Sequence, residues 1–335
     1  MTTQKPDSTT SETQAYIADL TMMTVKPRSL WADAWARLLK NKASVLGMII
    51  IVVFIFIAAF AHVLAPHNPL QINSGKGFLP PVFVEESRSG AKPDPAFIFG
   101  TDSLGRDVLS ETIYGSRVSM VVGFLPTFII IILGTFVGLY AGFKGGWIDN
   151  FLMRLTDVVY AFPDLLFFII VTVTLRNTAL GKALNGLLLL FGALAIVNWV
   201  GFARIVRGQV LSLKEKEFIE AARMIGASDS RIMFRHLLPN SLGPVIILVA
   251  MAIPGMIITE ATLGYLGLGL IPSTNPNDFF ITSWGALMLD GQSAINAQPW
   301  LLFLPAIAVS LVVLSFTFLG DGLRDALDPR LQGTE

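Results

Sequence analysis

The stretch VLGMIIIVVFIFIAAFAHVL, residues Val45–Leu64, contains no Asp, Glu, Lys or Arg. A helix rises about 1.5 Å per residue, so these 20 residues would reach about 30 Å, the thickness of the hydrocarbon core of a bilayer. Lipid offers no hydrogen-bond partners, and a helix satisfies its backbone N–H and C=O groups internally. The stretch therefore predicts a membrane-spanning helix and an all-α membrane protein as the fold class.

Further apolar stretches predict a bundle of about six spanning helices. Their approximate bounds are Val118–Tyr140, Leu155–Leu175, Leu187–Ala203, Val245–Leu268 and Trp300–Leu319. Acids and prolines interrupt the third and fifth spans, and the fourth is short for a bilayer. The composition agrees with this interpretation, because only 14% of the residues are charged, against about 25% in soluble domains.

The distribution of lysine and arginine predicts the orientation of the bundle. If the N-terminus is cytoplasmic, the inside segments hold 17 of the 24 lysines and arginines. The positive-inside rule then predicts that both termini are cytoplasmic. The expected organisation is a cytoplasmic tail with an amphipathic lead-in over 1–44, a transmembrane domain over 45–320, and a cytoplasmic tail over 321–335. Within the middle part, an outer loop covers 65–117 and an inner loop covers 204–242.

The composition argues against several other kinds of site. The net charge is zero, which gives no indication of a nucleic-acid partner. Cysteine is absent, which excludes disulfides, thiolate metal sites and a cysteine nucleophile. The histidines His62, His67 and His236 share no metal-ligand spacing. The segment before Val45 is polar, so no cleaved signal peptide is expected, and Met1–Leu20 is predicted to be a disordered tail.

The inner loop 204–242 has a helical pattern. Its stretch Glu217–Gly226 reads EFIEAARMIG, and apolar residues at three- and four-residue steps predict one apolar face. That face would consist of Phe218, Ala221, Ala222 and Ile225. Gly226 is expected to end this helix, Ser228 to cap a second short helix, and Pro239 to stop that one. Such a helix–turn–helix would offer a soluble partner a rigid element, although an amphipathic helix on the membrane surface has the same periodicity.

The same loop resembles the EAA loop of ABC importer permeases. In that family, the letters EAA are followed by three residues, Gly, nine residues, an aliphatic residue, any residue and Leu-Pro, and every spacing is met here. The matching positions are Glu220, Ala221, Ala222, Gly226, His236, Leu238 and Pro239. His236 stands where many members have isoleucine, but a histidine is usual there in the peptide-importer branch. The resemblance implies that the loop is a coupling helix that docks in a groove on a cytoplasmic ATPase.

Further segments resemble the dipeptide and oligopeptide branch of these permeases, in particular its "C" subunits. Phe99–Asp107, which reads FGTDSLGRD, and Tyr114–Arg117, which reads YGSR, are similar to the segment before the second span. Leu263–Gly269, LGYLGLG, differs at two positions from the usual LSFLGLG. Ser283–Gly285 and Gly320–Leu331 also match the branch.

The likeness extends from about residue 29 to 331 and weakens over 70–95, where the outer loop is longer than usual. It implies the type I importer permease fold in the plasma (inner) membrane of a bacterium or archaeon, in contact with lipid. The implied partners are a second permease subunit, two cytoplasmic ATPases that bind ATP and Mg²⁺, and an external substrate-binding protein. For this chain itself, the likeness implies no cofactor, no metal and no enzyme activity.

The implied function is the import of dipeptides or longer peptides by alternating access, driven by the partner ATPases. Nickel chelates, glutathione-like peptides and oligosaccharides are the alternative substrates within the branch. The external binding protein usually sets specificity, so the residues of the pore do not separate these possibilities.

Residues near the break in the third span are candidates for the pathway or for gating. Asp157 and Asp164 flank Pro163, so they are expected where this span bends. A position near the membrane surface is the alternative for both acids.

The fifth span contains three more candidates. Glu260 would either satisfy a neighbouring helix or freed backbone groups, or line the pathway, since a charge within a membrane is costly. Gly264 and Gly267 permit tight helix contact or a break, and packing against a partner permease is the preferred interpretation.

Two other classes of protein remain as alternatives. A self-contained secondary transporter would carry paired ion-coupling residues on broken helices in inverted repeats, and no repeat between the halves is evident. A membrane-embedded enzyme would need converging nucleophile, base or metal ligands within the spans, and the spans show none. The run GTDSLG at 100–105 lacks the Gly-Lys-Ser/Thr ending of a P-loop, so ATP hydrolysis is expected on other subunits.

Overall fold

A computed structural model describes residues 30–86 and 90–327. The tail expected over Met1–Leu20 lies outside these ranges. Within them, the regular structure is helical apart from an isolated antiparallel bridge between Thr101 and Asp107. In chain order, the helices and helical turns are α1 (Leu30–Lys40), α2 (Lys42–Ala59), α3 (Ala61–Leu64), α4 (Val108–Lys144), α5 (Gly146–Tyr160), α6 (Asp164–Leu175), α7 (Ala179–Lys182), a 3-10 turn (Ala183–Gly186), α8 (Leu187–Leu213), α9 (Glu217–Met224), α10 (Asp229–Arg231), a π-helical turn (Ile232–Leu237), α11 (Leu238–Tyr265), α12 (Trp284–Ser293) and α13 (Trp300–Leu327).

In the described part of the chain, five stretches are long and apolar enough to cross a bilayer. They are Lys42–Ala59, Val108–Lys144, Ala179–Leu213, Asp229–Tyr265 and Trp300–Leu327. The pair α5 and α6 passes the same test, with a bend of 77° between the two helices. The prediction of an all-α membrane protein with about six spanning helices is therefore confirmed.

The third span is broken near Pro163, as expected, but its first helix begins at Gly146, earlier than the predicted start near Leu155. Helix α5 ends at Tyr160, and α6 begins at Asp164, directly after Pro163. Proline lacks an N–H and disfavours helical geometry in the residue before it, so the chain breaks here. Because α6 has only 12 residues, it is about 18 Å long and does not cross the hydrocarbon core by itself.

The helix that follows the outer loop begins earlier than the predicted span, at Val108 and not near Val118. Helix α4 begins at Val108, because the carboxylate of Asp107 caps it. Asp107 Oδ2 accepts a hydrogen bond from the Ser110 N–H at 3.1 Å. A capping aspartate supplies a partner for an N–H group that the first helical turn leaves free. The segment between α3 and α4 therefore covers 65–107.

Two spanning helices extend into segments expected to be polar loops or tails. Helix α8 runs to Leu213 and supplies the first part of the inner loop 204–242. Helix α13 runs to Leu327 and into the tail expected over 321–335. A helix needs apolar residues only where lipid surrounds it, so hydropathy predicts the buried part of a span and not its ends.

A stripe of glycines brings α4 close to α8. The stripe consists of Gly134, Gly138 and Gly142, at four-residue steps. A Cβ added at Gly138 would lie 2.4 Å from the Ala203 carbonyl oxygen, and one added at Gly134 would lie 2.4 Å from Phe202 Cβ. Small residues at this spacing allow the backbones of two spanning helices to approach, and dispersion contacts then stabilise the pair. The pattern of the sequence alone did not indicate this contact.

Candidate functional site

The inner loop contains a short helix, α9, whose end is set by Gly226. The backbone of Gly226 has φ +79°, a left-handed conformation that glycine adopts without steric cost. Its N–H donates to the Arg223 carbonyl at 2.9 Å, and the Ala227 N–H donates to the Ala222 carbonyl at 3.0 Å. These two bonds satisfy the last carbonyls of the helix in the manner of a glycine C-cap. The prediction that Gly226 ends the helix is confirmed.

The buried face of α9 is not the predicted one. Of the four residues expected to form it, only Ala222 is buried. The second buried residue is Ile219, which packs with Val206 and Val210 of α8 in one apolar cluster. The prediction was wrong because apolar residues occur on more than one side of this helix, and periodicity does not say which side meets the bundle.

An exposed apolar surface results, which we call the outward face of α9. It consists of Phe218, Ala221, Met224 and Ile225, all exposed. Met224 is 88% exposed and Ile225 is 85% exposed. Glu217, Glu220 and Arg223 are exposed beside them. An apolar patch rimmed by charges is typical of a protein–protein contact.

The second helix of the loop continues into the fifth span. Ser228 caps it as predicted, because its Oγ accepts a hydrogen bond from the Arg231 N–H at 3.4 Å. The prediction that Pro239 stops this helix was wrong. A π-helical turn precedes the proline, in which the Leu238 N–H donates to the Met233 carbonyl, five residues back. Pro239 then stands at the start of α11, where its missing N–H costs little.

The seven positions of the EAA pattern differ in their exposure. Ala222 is buried, and His236 and Leu238 are half-buried. The exposed members of the set are Glu220, Ala221, Gly226 and Pro239. Glu220 and Ala221 thus lie on the solvent side of α9, where a partner would reach them.

Two ion pairs connect α8 to the broken span. Arg207 contacts Asp149 through two hydrogen bonds, at 2.5 and 2.6 Å. Arg204 donates to Asp157 at 2.9 Å, and its guanidinium lies 4.7 Å from the centre of the Tyr160 ring. The two arginines are three residues apart and share one face of α8. The pairing partners are far apart in the chain, and the sequence pattern did not indicate them.

The acids beside Pro163 lie close to the bend, as expected. Asp157 is in the last turn of α5 and Asp164 is the first residue of α6. Asp164 is exposed, and its carboxylate is next to the positive end of the helix dipole, which stabilises it there. Neither acid contributes to an enclosed site among the described residues.

Glu260 joins α11 to α4 in the interior of the bundle. Its side chain is fully buried, and its Oε2 accepts a hydrogen bond from Ser119 Oγ at 3.3 Å. Its Oε1 has no hydrogen-bond partner among the described residues. Of the two roles considered for this acid, contact with a neighbouring helix agrees with this geometry.

The glycines of the LGYLGLG segment make contacts within this chain. A Cβ added at Gly264 would lie 2.8 Å from Gly285 Cα, at the start of α12. Gly267 has φ +74° and follows the end of α11, and its carbonyl accepts a hydrogen bond from Arg176 Nη1 at 2.8 Å. Gly264 thus permits a tight contact within its own chain, and packing of this segment against a partner permease stays a prediction.

The outer GTDSLG run forms a turn stabilised by Asp102. Asp102 Oδ1 accepts hydrogen bonds from the N–H groups of Leu104 and Arg106 at 2.9 and 2.8 Å. Arg106 also pairs with Asp102 at 2.5 Å and with Glu111 at 3.1 Å. Burial lowers the pKa of Arg106, but the carboxylates of Glu111 and Asp102 outweigh this effect and raise it. The run therefore connects the outer loop to α4.

A second outer contact involves the loop between α11 and α12. Asp278 accepts hydrogen bonds from Ser273 Oγ at 2.6 Å and from Asn185 Nδ2 at 3.3 Å. These donors hold the pKa of the Asp278 carboxyl below its usual value. The contact holds this loop against the 3-10 turn that precedes α8.

Two family models match this chain. Residues 134–333 match the family described as "Binding-protein-dependent transport system inner membrane component". Residues 29–81 match the "N-terminal TM domain of oligopeptide transport permease C". The inner loop, the bend and Glu260 all lie within the first of these matches.

Curated relatives are similar over almost their whole length. The oligopeptide transport system permease protein OppC of Bacillus subtilis (strain 168) is 36% identical, over 95% of this chain and 95% of the relative. The dipeptide transport system permease protein DppC of Alkalihalophilus pseudofirmus is 39% identical, over 91% of each chain. The glutathione transport system permease protein GsiD of Pectobacterium atrosepticum is 35% identical, over 91% of this chain and 93% of the relative.

Proposed function

Because this chain belongs to the family of binding-protein-dependent transport system inner membrane components, with the type I ABC permease fold, we propose that it is one membrane subunit of a peptide importer. It is a multi-pass inner-membrane protein. The names of relatives such as OppC and DppC, at 36% and 39% identity, support a peptide substrate. The outward face of α9 carries the proposal, because it is an exposed apolar surface on a rigidly held helix.

The outward face of α9 would dock on a cytoplasmic ATPase. Met224 and Ile225 supply apolar contact area, and Glu220 supplies a charge that can pair with a cation on the partner. On its inner side, α9 is held to α8 through Ile219 and Ala222. A movement of the ATPase would therefore be transmitted to the spanning helices.

A second connection leads from the inner loop to α4. Lys144, the last residue of α4, pairs with Asp229 at 2.7 Å. Asp229 begins the helix that continues through the π-helical turn into α11. The inner loop thus contacts or continues into three spans, α4, α8 and α11, and tilting them together would alternate access between the two sides of the membrane.

The remaining parts of the importer would be other chains. A second permease subunit would complete the pathway, and an external binding protein would deliver the substrate. Two ATPases would bind ATP and Mg²⁺, and hydrolysis would occur on them and not on this chain. The lengthened outer loop would lie on the side from which the substrate arrives.

Glutathione is the second candidate substrate. The relative GsiD, which is named for glutathione transport, is 35% identical. Glutathione is itself a short peptide with free carboxylates, so one permease design could serve both substrates. Competition between a labelled tripeptide and glutathione for uptake separates the two.

Uptake by the reconstituted complex tests the proposal. Gly226→Pro should abolish both peptide uptake and peptide-stimulated ATPase activity, because proline fixes φ near −65° and cannot adopt the +79° found here. The matched control is Gly243→Ala, at a helical glycine where an added Cβ would meet no atom within 4 Å. Normal uptake by an inserted Gly226→Pro protein would contradict the coupling role of this loop.

A further inference from the structure

An apolar groove lies between the end of α2 that adjoins the outer loop and the part of α4 from Arg117 to Phe128. Its volume is about 610 Å³. Apolar residues that line it include Ile55, Ala59, Val121, Phe124, Leu125 and Phe128. One charged residue, Arg117, lies at the end of the groove nearest the outer loop, beside Phe279 of the loop between α11 and α12.

Arg117 is held in place by backbone carbonyls and aromatic rings. The residue is only 6% exposed. Its Nε donates to the Ala58 carbonyl at 3.1 Å, and its Nη1 donates to the Phe279 carbonyl at 3.4 Å. Its guanidinium carbon lies 4.7 Å from the centre of the Tyr114 ring and 4.5 Å from that of Phe279. The side chain is therefore positioned at the end of the groove.

The charge of Arg117 is not neutralised within the described part of the chain. None of the ion pairs between described residues includes Arg117, and both of its hydrogen-bond acceptors are neutral carbonyls. A buried cation without an anion is costly, especially beside lipid. A guanidinium has five donors in a planar arrangement that matches a phosphate. An anion bound at this end of the groove would pair with the charge of Arg117.

The length of the groove matches one leaflet of a bilayer. Arg117 and Phe128 are eleven residues apart on α4, which corresponds to about 17 Å along the helix. Half of the hydrocarbon core is about 15 Å thick. In the predicted orientation, Arg117 would lie at the level of the outer headgroups, and Phe128 near the middle of the membrane.

We propose that this groove binds an anionic phospholipid, with the phosphate on Arg117 and one acyl chain between α2 and α4. A transported peptide is the less suitable occupant. Each peptide unit brings an N–H and a C=O that need partners, and the wall below Arg117 is formed by apolar side chains. An acyl chain needs no such partners.

Lipid titration of the purified full-length chain in detergent tests the site. Thermal stabilisation would be followed against added dioleoylphosphatidylglycerol and dioleoylphosphatidylcholine. The wild-type chain should reach half-saturation at a concentration of dioleoylphosphatidylglycerol about fivefold lower than the concentration of dioleoylphosphatidylcholine that it needs. One basic residue at the headgroup level is expected to give a preference of this size. Arg117→Gln should remove this preference, and Arg117→Lys should retain it.

Two further variants make the result specific. Ala59→Trp places a large side chain in the groove from an exposed position, and it should weaken the binding of both lipids. Arg176→Gln is the matched control, because Arg176 is a half-buried arginine that also donates to a backbone carbonyl, that of Gly267. It should leave the preference unchanged.

Two outcomes would overturn the proposal. One is an undiminished preference for the anionic lipid in Arg117→Gln together with normal lipid binding by Ala59→Trp. The other is that these variants lose the co-purifying second permease while their lipid binding stays unchanged. In that case, the groove receives a helix of the partner permease.

Discussion

Gly138 and Gly226 each lack a side chain for a different physical reason. At Gly138 the backbone is helical, but a Cβ would lie 2.4 Å from the Ala203 carbonyl oxygen. At Gly226 no atom lies within 4 Å of an added Cβ, but φ is +79°. The first glycine permits a contact between two helices, and the second permits a change in the direction of the chain.

Gly138→Ala should destabilise the bundle, because α4 and α8 would have to separate. Overpacking of this kind typically costs about 1–3 kcal/mol. Thermal unfolding of the purified chain in detergent measures the effect. Gly208→Ala is the control, since an added Cβ there would meet nothing within 4 Å and alanine favours helix over glycine. Equal melting temperatures for the two variants would contradict this account of the glycine stripe.

Short helices and their connections determine how the inner loop is joined to the spanning helices. The helix end at Gly226 and the cap at Ser228 were predictable, because both depend on neighbours in the sequence. The continuation past Pro239 was not, since it depends on the π-helical turn that precedes it. The buried side of α9 was also unpredictable, because Ile219 faces residues of α8 that are not adjacent in the chain.

The ion pairs of α5 with α8 differ in burial, and the difference predicts their contributions. In the pair Arg207–Asp149 the side chains are 31% and 11% exposed, and in Arg204–Asp157 they are 38% and 55% exposed. Arg207→Gln leaves a mostly buried carboxylate without its partner. It should cost about 2 kcal/mol, between the values for exposed and fully buried pairs.

The variant Arg204→Gln is the comparison for this prediction. An exposed pair contributes about 0–1 kcal/mol, so this change should shift the melting temperature less than Arg207→Gln does. A larger melting-temperature shift for Arg204→Gln than for Arg207→Gln would contradict this prediction and show that the exposed pair stabilises the bend at Pro163 more than the buried one. Melting curves of the two variants in the same detergent decide between these outcomes.

At the scale of the whole molecule, hydropathy predicted the most. The number of spans follows from the length of apolar stretches, and these were visible in the sequence. The glycine stripe of α4, the contact of Gly264 with Gly285 and the pair Arg207–Asp149 each join residues that are distant in the chain. Local patterns do not encode which distant residues meet, so these contacts became visible only in three dimensions.

The orientation of the chain is open to a direct test, because the sequence contains no cysteine. A cysteine at Lys92, exposed in the outer loop, should react with a membrane-impermeant maleimide in intact cells. A cysteine at Met224, exposed on the inner loop, should react only after the membrane is permeabilised. The reverse labelling pattern would place both termini outside and contradict the distribution of lysine and arginine.

Helix α4 touches both the outer and the inner ends of the molecule. Near its first turn Glu111 pairs with Arg106 at 3.1 Å, and at its last residue Lys144 pairs with Asp229 at 2.7 Å. These two residues of α4 are about 50 Å apart along the axis. If the helix pivots as a lever about its inner end, a rotation of about 5° displaces Glu111 by about 4 Å. Arg106 lies just before α4 and would move with Glu111, so a rotation of this size would alter the contact of Arg106 with Asp290 of α12, whose carboxylate lies 3.9 Å away.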